Sequence, residues 1–234
     1  MQERFRLPPG LAYGLPVFLW IYTYIEHGFF LSIGLNVYRE YRLIENLTVV
    51  FLLVAVVFLV IGFRQAASRG EKAWLVLLCV GAVYFLGEEI SWGYHFMGQP
   101  SSDAWGGIND QGEPNLHNLT GVWELLFDRL PRQLLSLGVI VGALLGWRVD
   151  RLSEKRPPHL LLRRLAPAGN TFFVAILASL VGVPEKILDH LLAETPLLFQ
   201  LGNDAGELKE CLLALFIAFY AYGLRRNLSA VSSS

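Results

Sequence analysis

Two adjacent acids in an apolar setting, Glu88 and Glu89, are the first residues of this chain to invite a chemical reading. They sit in the string Gly87-Glu88-Glu89-Ile90-Ser91-Trp92-Gly93, at the end of a long hydrophobic run, and His95 follows two residues later. On a helix, Glu88 and His95 share a face, whereas Glu89 points about 100° round and meets a different neighbour. Neighbouring carboxylates repel, and a shared proton or a bound cation relieves the repulsion. Two more groups have helical spacing. Glu185 and Asp189 are one turn apart with His190 adjacent, and Glu207 and Glu210 are one turn apart. Facing helices build metal and acid/base sites from such pairs.

The expected chemistry is therefore acid/base and metal-assisted. Glu88 or Glu89 would act as general acid/base, with Glu113 and His117 assisting proton transfer. His95, Asp189, His190, Glu207 and Glu210 would supply ligands for a divalent metal. A mixed imidazole and carboxylate set suits zinc, manganese or iron. Neither the Glu-x-x-His bundle motif nor the His-Glu-x-x-His protease motif occurs, so neither of those metal families is indicated. The plainer alternative is structural pairing: Lys186 with Asp189 or His190, and Lys209 with Glu207 or Glu210.

The elements that must position these groups are read from the composition. The chain has 234 residues, 54% hydrophobic and only 17% charged, with a net charge of -1. Ordinary soluble domains carry roughly 25% charged residues. Intrinsic disorder is excluded, and no basic surplus exists to bind nucleic acid. The two cysteines, Cys79 and Cys211, lie inside apolar runs, where packing is the expected role.

Apolar runs at about 11–35, 46–63, 73–97, 133–147, 171–193 and 205–224 are expected to be six membrane spans in a single all-α bundle covering residues 1–234. Two are short when counted strictly: Phe172 to Val183 is 12 residues and Cys211 to Leu224 is 14. Each reaches span length only if its ionisable neighbours also lie at membrane depth, where such groups face protein or water. Pro184 is expected to kink the fifth span.

Lys and Arg cluster in alternate loops: Arg64, Arg69 and Lys72 after the second run, and six from Arg148 to Arg164 after the fourth. The other loops hold only Arg39, Arg42, Arg129 and Arg132. This asymmetry predicts cytoplasmic N- and C-termini in a cytoplasmic membrane, with membrane lipids as partners. On that topology every ionisable residue of the spans falls in an outer half, and only 4 of the 20 acids lie on the cytoplasmic side. Carboxylates at membrane depth cost at least about 2.5 kcal/mol each, so this one-sidedness is the strongest functional signal.

The longest outer loop, about 98–132, contains Asn109-Asp110-Gln111-Gly112-Glu113-Pro114-Asn115-Leu116-His117-Asn118. A loop of this length with Gly and Pro turns is expected to be functional. It is expected to fold back over the mouth of the bundle and bring Glu113 and His117 towards Glu88 and Glu89. Leu119, Val122, Trp123, Leu126, Phe127 and Leu130 follow helical spacing and predict an interfacial amphipathic helix that Pro131 stops or redirects.

The string from Gly87 to Gly93, followed by Asn109-x-Gln111-x-Glu113-x-Asn115-Leu116-His117-Asn118, resembles a signature of uncharacterised bacterial polytopic membrane proteins. The resemblance covers residues 87–118 and implies a bacterial membrane setting without an activity.

The leading expectation is an integral-membrane enzyme, a hydrolase or transferase, with an extracytoplasmic acid/His site acting on a lipid or lipid-linked substrate. The alternatives are a proton- or cation-coupled transporter and a non-catalytic scaffold or sensor subunit. A transport path should place polar residues in the cytoplasmic halves of the spans as well, and the sequence places none there.

Overall fold

The computed structural model describes residues 5–33, 43–93, 116, 122–152, 160–192 and 196–232. Among these residues there are helices and turns and no strand. After a π-helical turn at Gly10–Gly14 come α1 (Leu15–Ser32), α2 (Leu43–Gln65) and α3 (Arg69–Glu89). A helical turn at Val122–Glu124 and a π turn at Leu125–Arg129 lead into α4 (Leu130–Leu152). Then follow α5 (Leu160–Leu165), α6 (Phe172–Leu180), α7 (Val183–Leu191) and α8 (Asn203–Ser232).

The centre of the bundle is α8. From Leu208 to Leu224 its residues are buried on every side, with few exceptions, because Leu, Ala, Phe and Tyr recur without a polar stripe. Its principal neighbour is α2, α6 lies on another side, and α1 and α4 add smaller contacts. The outer helix α3 packs on α2, and α4 packs on α6. Apolar residues of α1, α2, α3, α4, α6 and α8 join in one core. Cys211 is buried in it and Cys79 is packed at its edge, both as free thiols.

The outward faces remain apolar. Leu53 and Val57 of α2, Leu77 and Val80 of α3, and Leu137 and Val141 of α4 are all exposed. An apolar surface this continuous suits lipid and not water. Helices α2, α3 and α4 are each long and apolar enough to cross a membrane. Segments Gly169–Leu180 and Val183–Leu191, bent by 44° at the intervening break, add a fourth if they form one span. Pro184 sits in the first turn beyond that break. Of the six expected spans, α1 and α8 fall outside this set. Tyr22, Thr23, Tyr24, Glu26 and His27 dilute α1, and the apolar stretch of α8 is bounded by Glu210 and Arg225.

Pro131 does not stop the helix that precedes it. The π turn Leu125–Arg129 passes directly into α4, with the Leu130 N–H donating to the Leu125 carbonyl. The extra residue in the turn accommodates a ring that would clash in a regular α-helix. The same device recurs at Gly10–Gly14, where the Leu15 N–H donates to the Gly10 carbonyl just before Pro16. The described part of the expected interfacial helix, Val122–Arg129, is thus continuous with α4, with Trp123, Leu125 and Leu126 exposed.

The two ends of the bundle differ. At one end α3 starts with Ser68 as its cap: the Glu71 N–H donates to Ser68 Oγ, and the Ala67 and Ser68 N–H groups donate to Glu71 Oε2. The other Glu71 oxygen takes Arg164 Nη1 of α5 at 2.7 Å, in a buried pair. Nearby, Tyr220 of α8 accepts from the Trp74 indole and donates to the Leu165 carbonyl. At this same end Asp150 of α4 accepts the Gly169 N–H at 2.9 Å. The opposite end gathers the acids of interest.

Candidate functional site

The acidic end is formed where α3 finishes and α2, α4 and α8 begin. Here Glu88 and Glu89 diverge as their helical positions require. Glu88 is buried at 4% exposure and its two oxygens have separate donors. The Trp92 indole N–H donates to Oε1 at 2.7 Å, and the Leu116 backbone N–H donates to Oε2 at 2.6 Å.

The first of these bonds depends on an unusual turn. Ser91 and Trp92 have φ of 45° and 52°, in the left-handed region that L residues seldom adopt. That turn folds the indole back across Gly87, where a Cβ would lie 2.7 Å from the ring. Glycine at 87, acid at 88 and tryptophan at 92 therefore form one unit. The second bond ties Leu116 to α3, and Leu116 is the immediate chain neighbour of His117. His95, Glu113 and His117 themselves lie outside the described residues.

Glu89 faces the other way, towards α8. One oxygen from each of Glu89, Glu207 and Glu210 falls within 4.8 Å of the others, and all three side chains are half-buried. Among the described residues this is the one set of three acid, imidazole or thiol groups close enough to share a cation. Glu45 of α2 and Arg132 of α4 act electrostatically on both Glu89 and Glu207. Arg132 Nη1 lies 3.1 Å from Glu210 Oε1, crossing from α4 to α8. Carboxylates crowded in this way repel one another, a shared proton or a cation would relieve the repulsion, and oxygen-only donors suit hard divalent ions.

Two expected metal ligands, Glu207 and Glu210, are thus joined by an expected acid/base residue, Glu89. Asp189 and His190 are exposed on α7 and are not in this set. Three contributors were not singled out by sequence. Glu45 and Arg132 come from different helices with no spacing relation to Glu89. The bond from Trp92 to Glu88 depends on a left-handed turn that its sequence position does not announce.

His27 forms a further link at this end. Its Nδ1 lies 2.8 Å from Asp204 Oδ2 and its Nε2 lies 3.2 Å from the Leu197 carbonyl oxygen. Both ring nitrogens face acceptors, so α1 is tied to the start of α8 and to the turn before it.

Beside the triad, a cavity of about 340 Å³ opens between α3, α4 and α8. Its walls are apolar: Leu78, Ala82 and Phe85 from α3, Leu135 from α4, Leu213 and Ile217 from α8. Its charged residues are Glu88, Glu89, Arg132, Lys209 and Glu210, from the acidic end. Along α3 it extends from Leu77 to Glu89, about 18 Å at about 1.5 Å per residue. Size and lining are those of a small-molecule site.

Fold and site together define an all-helical protein with three to four helices long and apolar enough to cross a membrane and an acidic cluster at the mouth of an apolar cavity. Compared with known protein families, with characterised proteins and with solved structures, the chain matches none.

Proposed function

We propose that the chain is an integral-membrane enzyme, a hydrolase or transferase, acting on a lipid or lipid-linked substrate at its acidic end. Glu89, Glu207 and Glu210 hold a divalent cation, which polarises a bound water or a substrate oxygen. Glu88 is a positioning residue: it holds the amide of Leu116, the chain neighbour of His117, and Glu113 and His117 assist proton transfer. The cavity between α3, α4 and α8 receives the apolar part of the substrate.

The single observation carrying this reading is the convergence of three carboxylates from α3 and α8 beside an apolar cavity. At the other end Glu71 and Asp150 are spent on backbone donors and an arginine, whereas in the cluster Arg132 meets Glu210 and three carboxylates still converge. That contrast also weighs against a proton or cation pathway, since the far-end acids are engaged in capping a helix and holding a loop.

The setting proposed is a bacterial cytoplasmic membrane with six spans, both termini cytoplasmic and the acidic end outside. A helix enclosed by its neighbours, as α8 is, need not match lipid along its length, so its charged flanks do not count against a span.

The test is metal analysis of the purified protein joined to lipid profiling of cells. Stoichiometric divalent metal, lost in Glu89→Gln and Glu207→Gln together with a change in the lipid profile, is the expected result. Metal-free protein and an unchanged profile in both variants would sink the proposal.

A further inference from the structure

We propose that the cavity between α3, α4 and α8 takes a single-chain amphiphile with an ammonium head group, the chain lying along the apolar wall and the ammonium donating to Glu89. This rests on the lipid-handling reading above and narrows its substrate class.

The sign of the charge at the polar end carries the argument. Three of the charged residues lining the cavity are acids, Glu88, Glu89 and Glu210, and two are bases, Arg132 and Lys209. Arg132 is committed to Glu210 at 3.1 Å. Glu45 and Glu207 are not part of the lining but act electrostatically on Glu89. Five carboxylates thus stand against two bases, and a divalent ion in the triad still leaves the formal balance acidic. A negative head group meets an excess of its own sign there, and a positive one meets the opposite sign.

Glu89 is the acid with capacity left. Glu88 has a donor on each oxygen, and Glu210 has Arg132. The half-buried Glu89 lines the cavity and has no hydrogen bond or ion pair among the described residues. The triad draws on one of its oxygens, so the second can accept an ammonium N–H with or without a metal. Repulsion among the crowded carboxylates is relieved by an ammonium as it is by a metal ion. The remaining wall is almost wholly apolar, with Leu78, Phe85, Leu135, Leu213 and Ile217, which favours a hydrocarbon tail over a free amine. Its volume of about 340 Å³ is at the lower end of ligand sites, roughly 300–1,000 Å³, and suits one chain.

The test uses the full chain purified in a non-ionic detergent at neutral pH, with binding read by native mass spectrometry. A chelator is present, so that loss of metal does not enter the result. Four probes are compared: dodecylamine, dodecanol, dodecanoate and butylamine. Dodecylamine is expected to bind about tenfold or more tighter than any of the others. Glu89→Gln should erase most of its advantage over dodecanol and leave dodecanol itself unmoved. Leu135→Trp, which fills the cleft, should abolish amine binding while the melting temperature is kept; Ala82→Leu is the milder filling and should weaken binding in the same direction. Equal binding of dodecanol or dodecanoate, or indifference to Glu89→Gln, overturns the ammonium contact and leaves the lipid reading standing. Butylamine binding as tightly as dodecylamine overturns the role of the chain. Amine binding that ignores both cleft-filling variants overturns the cavity as the lipid site and the wider reading with it.

Discussion

Glu88 and Glu89 are consecutive in the chain and serve two separate arrangements. Glu88 is closed off by the Trp92 indole and the Leu116 amide, whereas Glu89 joins Glu207 and Glu210 of α8. One helical step of about 100° accounts for the division. It also means that the two acids should respond oppositely to substitution.

Glu88→Ala should destabilise the protein by about 1.5–3 kcal/mol, the range for hydrogen bonds to a charged group whose loss leaves donors unpaired. Glu88→Gln, which keeps one acceptor oxygen, should lose less. Unfolding in detergent micelles, followed by Trp fluorescence, measures both. A double-mutant cycle with Trp92→Phe should show coupling between the two sites. Strict additivity would contradict the bond.

Glu89→Gln should behave in the other direction without metal. It removes one of three crowded carboxylates, so the metal-free variant should melt at or above the parent temperature. Manganese or zinc at about 100 times its dissociation constant should stabilise the parent by about 2.7 kcal/mol. The variant should lose that shift, and a chelator should abolish it in the parent. Equal metal-induced shifts in parent and variant would remove Glu89 from the site.

At the other end, Arg164→Met leaves the Glu71 carboxylate buried without its cation. Its exposure is only 1%, so the loss should be about 3–5 kcal/mol. The double substitution Glu71→Gln with Arg164→Met should recover much of this. Chemical denaturation curves of the three variants decide the matter; a double variant no better than Arg164→Met alone would deny that the cost is an unpaired charge.

Two glycines of α4 give a paired prediction. A Cβ on Gly146 would overlap the Pro167 carbonyl, a backbone group with little freedom to yield, whereas one on Gly138 meets nothing within 4 Å. Gly146→Ala should cost about 1–3 kcal/mol through overpacking. Gly138→Ala should be neutral or stabilising by up to about 1 kcal/mol, from helix propensity. Equal melting temperatures for the two would show that α4 does not depend on its approach to Pro167.

The helical class was legible because apolar runs longer than a strand leave no other economical solution, and the bend near Pro184 followed from the residue itself. At the start of α4 a stop at Pro131 does not occur, since a π turn removes the clash that makes proline a helix breaker and leaves no mark in hydrophobic spacing. Glu207 and Glu210 were legible as a pair because one helix sets their spacing. Their meeting with Glu89 was not, because it depends on where α3 lies against α8. The bond from Trp92 to Glu88 was hidden for the same kind of reason: a left-handed backbone at two non-glycine residues is a tertiary choice that propensity argues against.

Almost everything in the bundle leans on α8, and α8 follows all the helices that pack on it in chain order. A chain made from its N-terminus therefore makes the surrounding staves before the post that joins them exists. Until that helix arrives, α2 and α6 lack their main partner, and Glu89 waits without Glu207 and Glu210. The three carboxylates come together only once α8 has been made, so a chain that stops before it lacks the cluster.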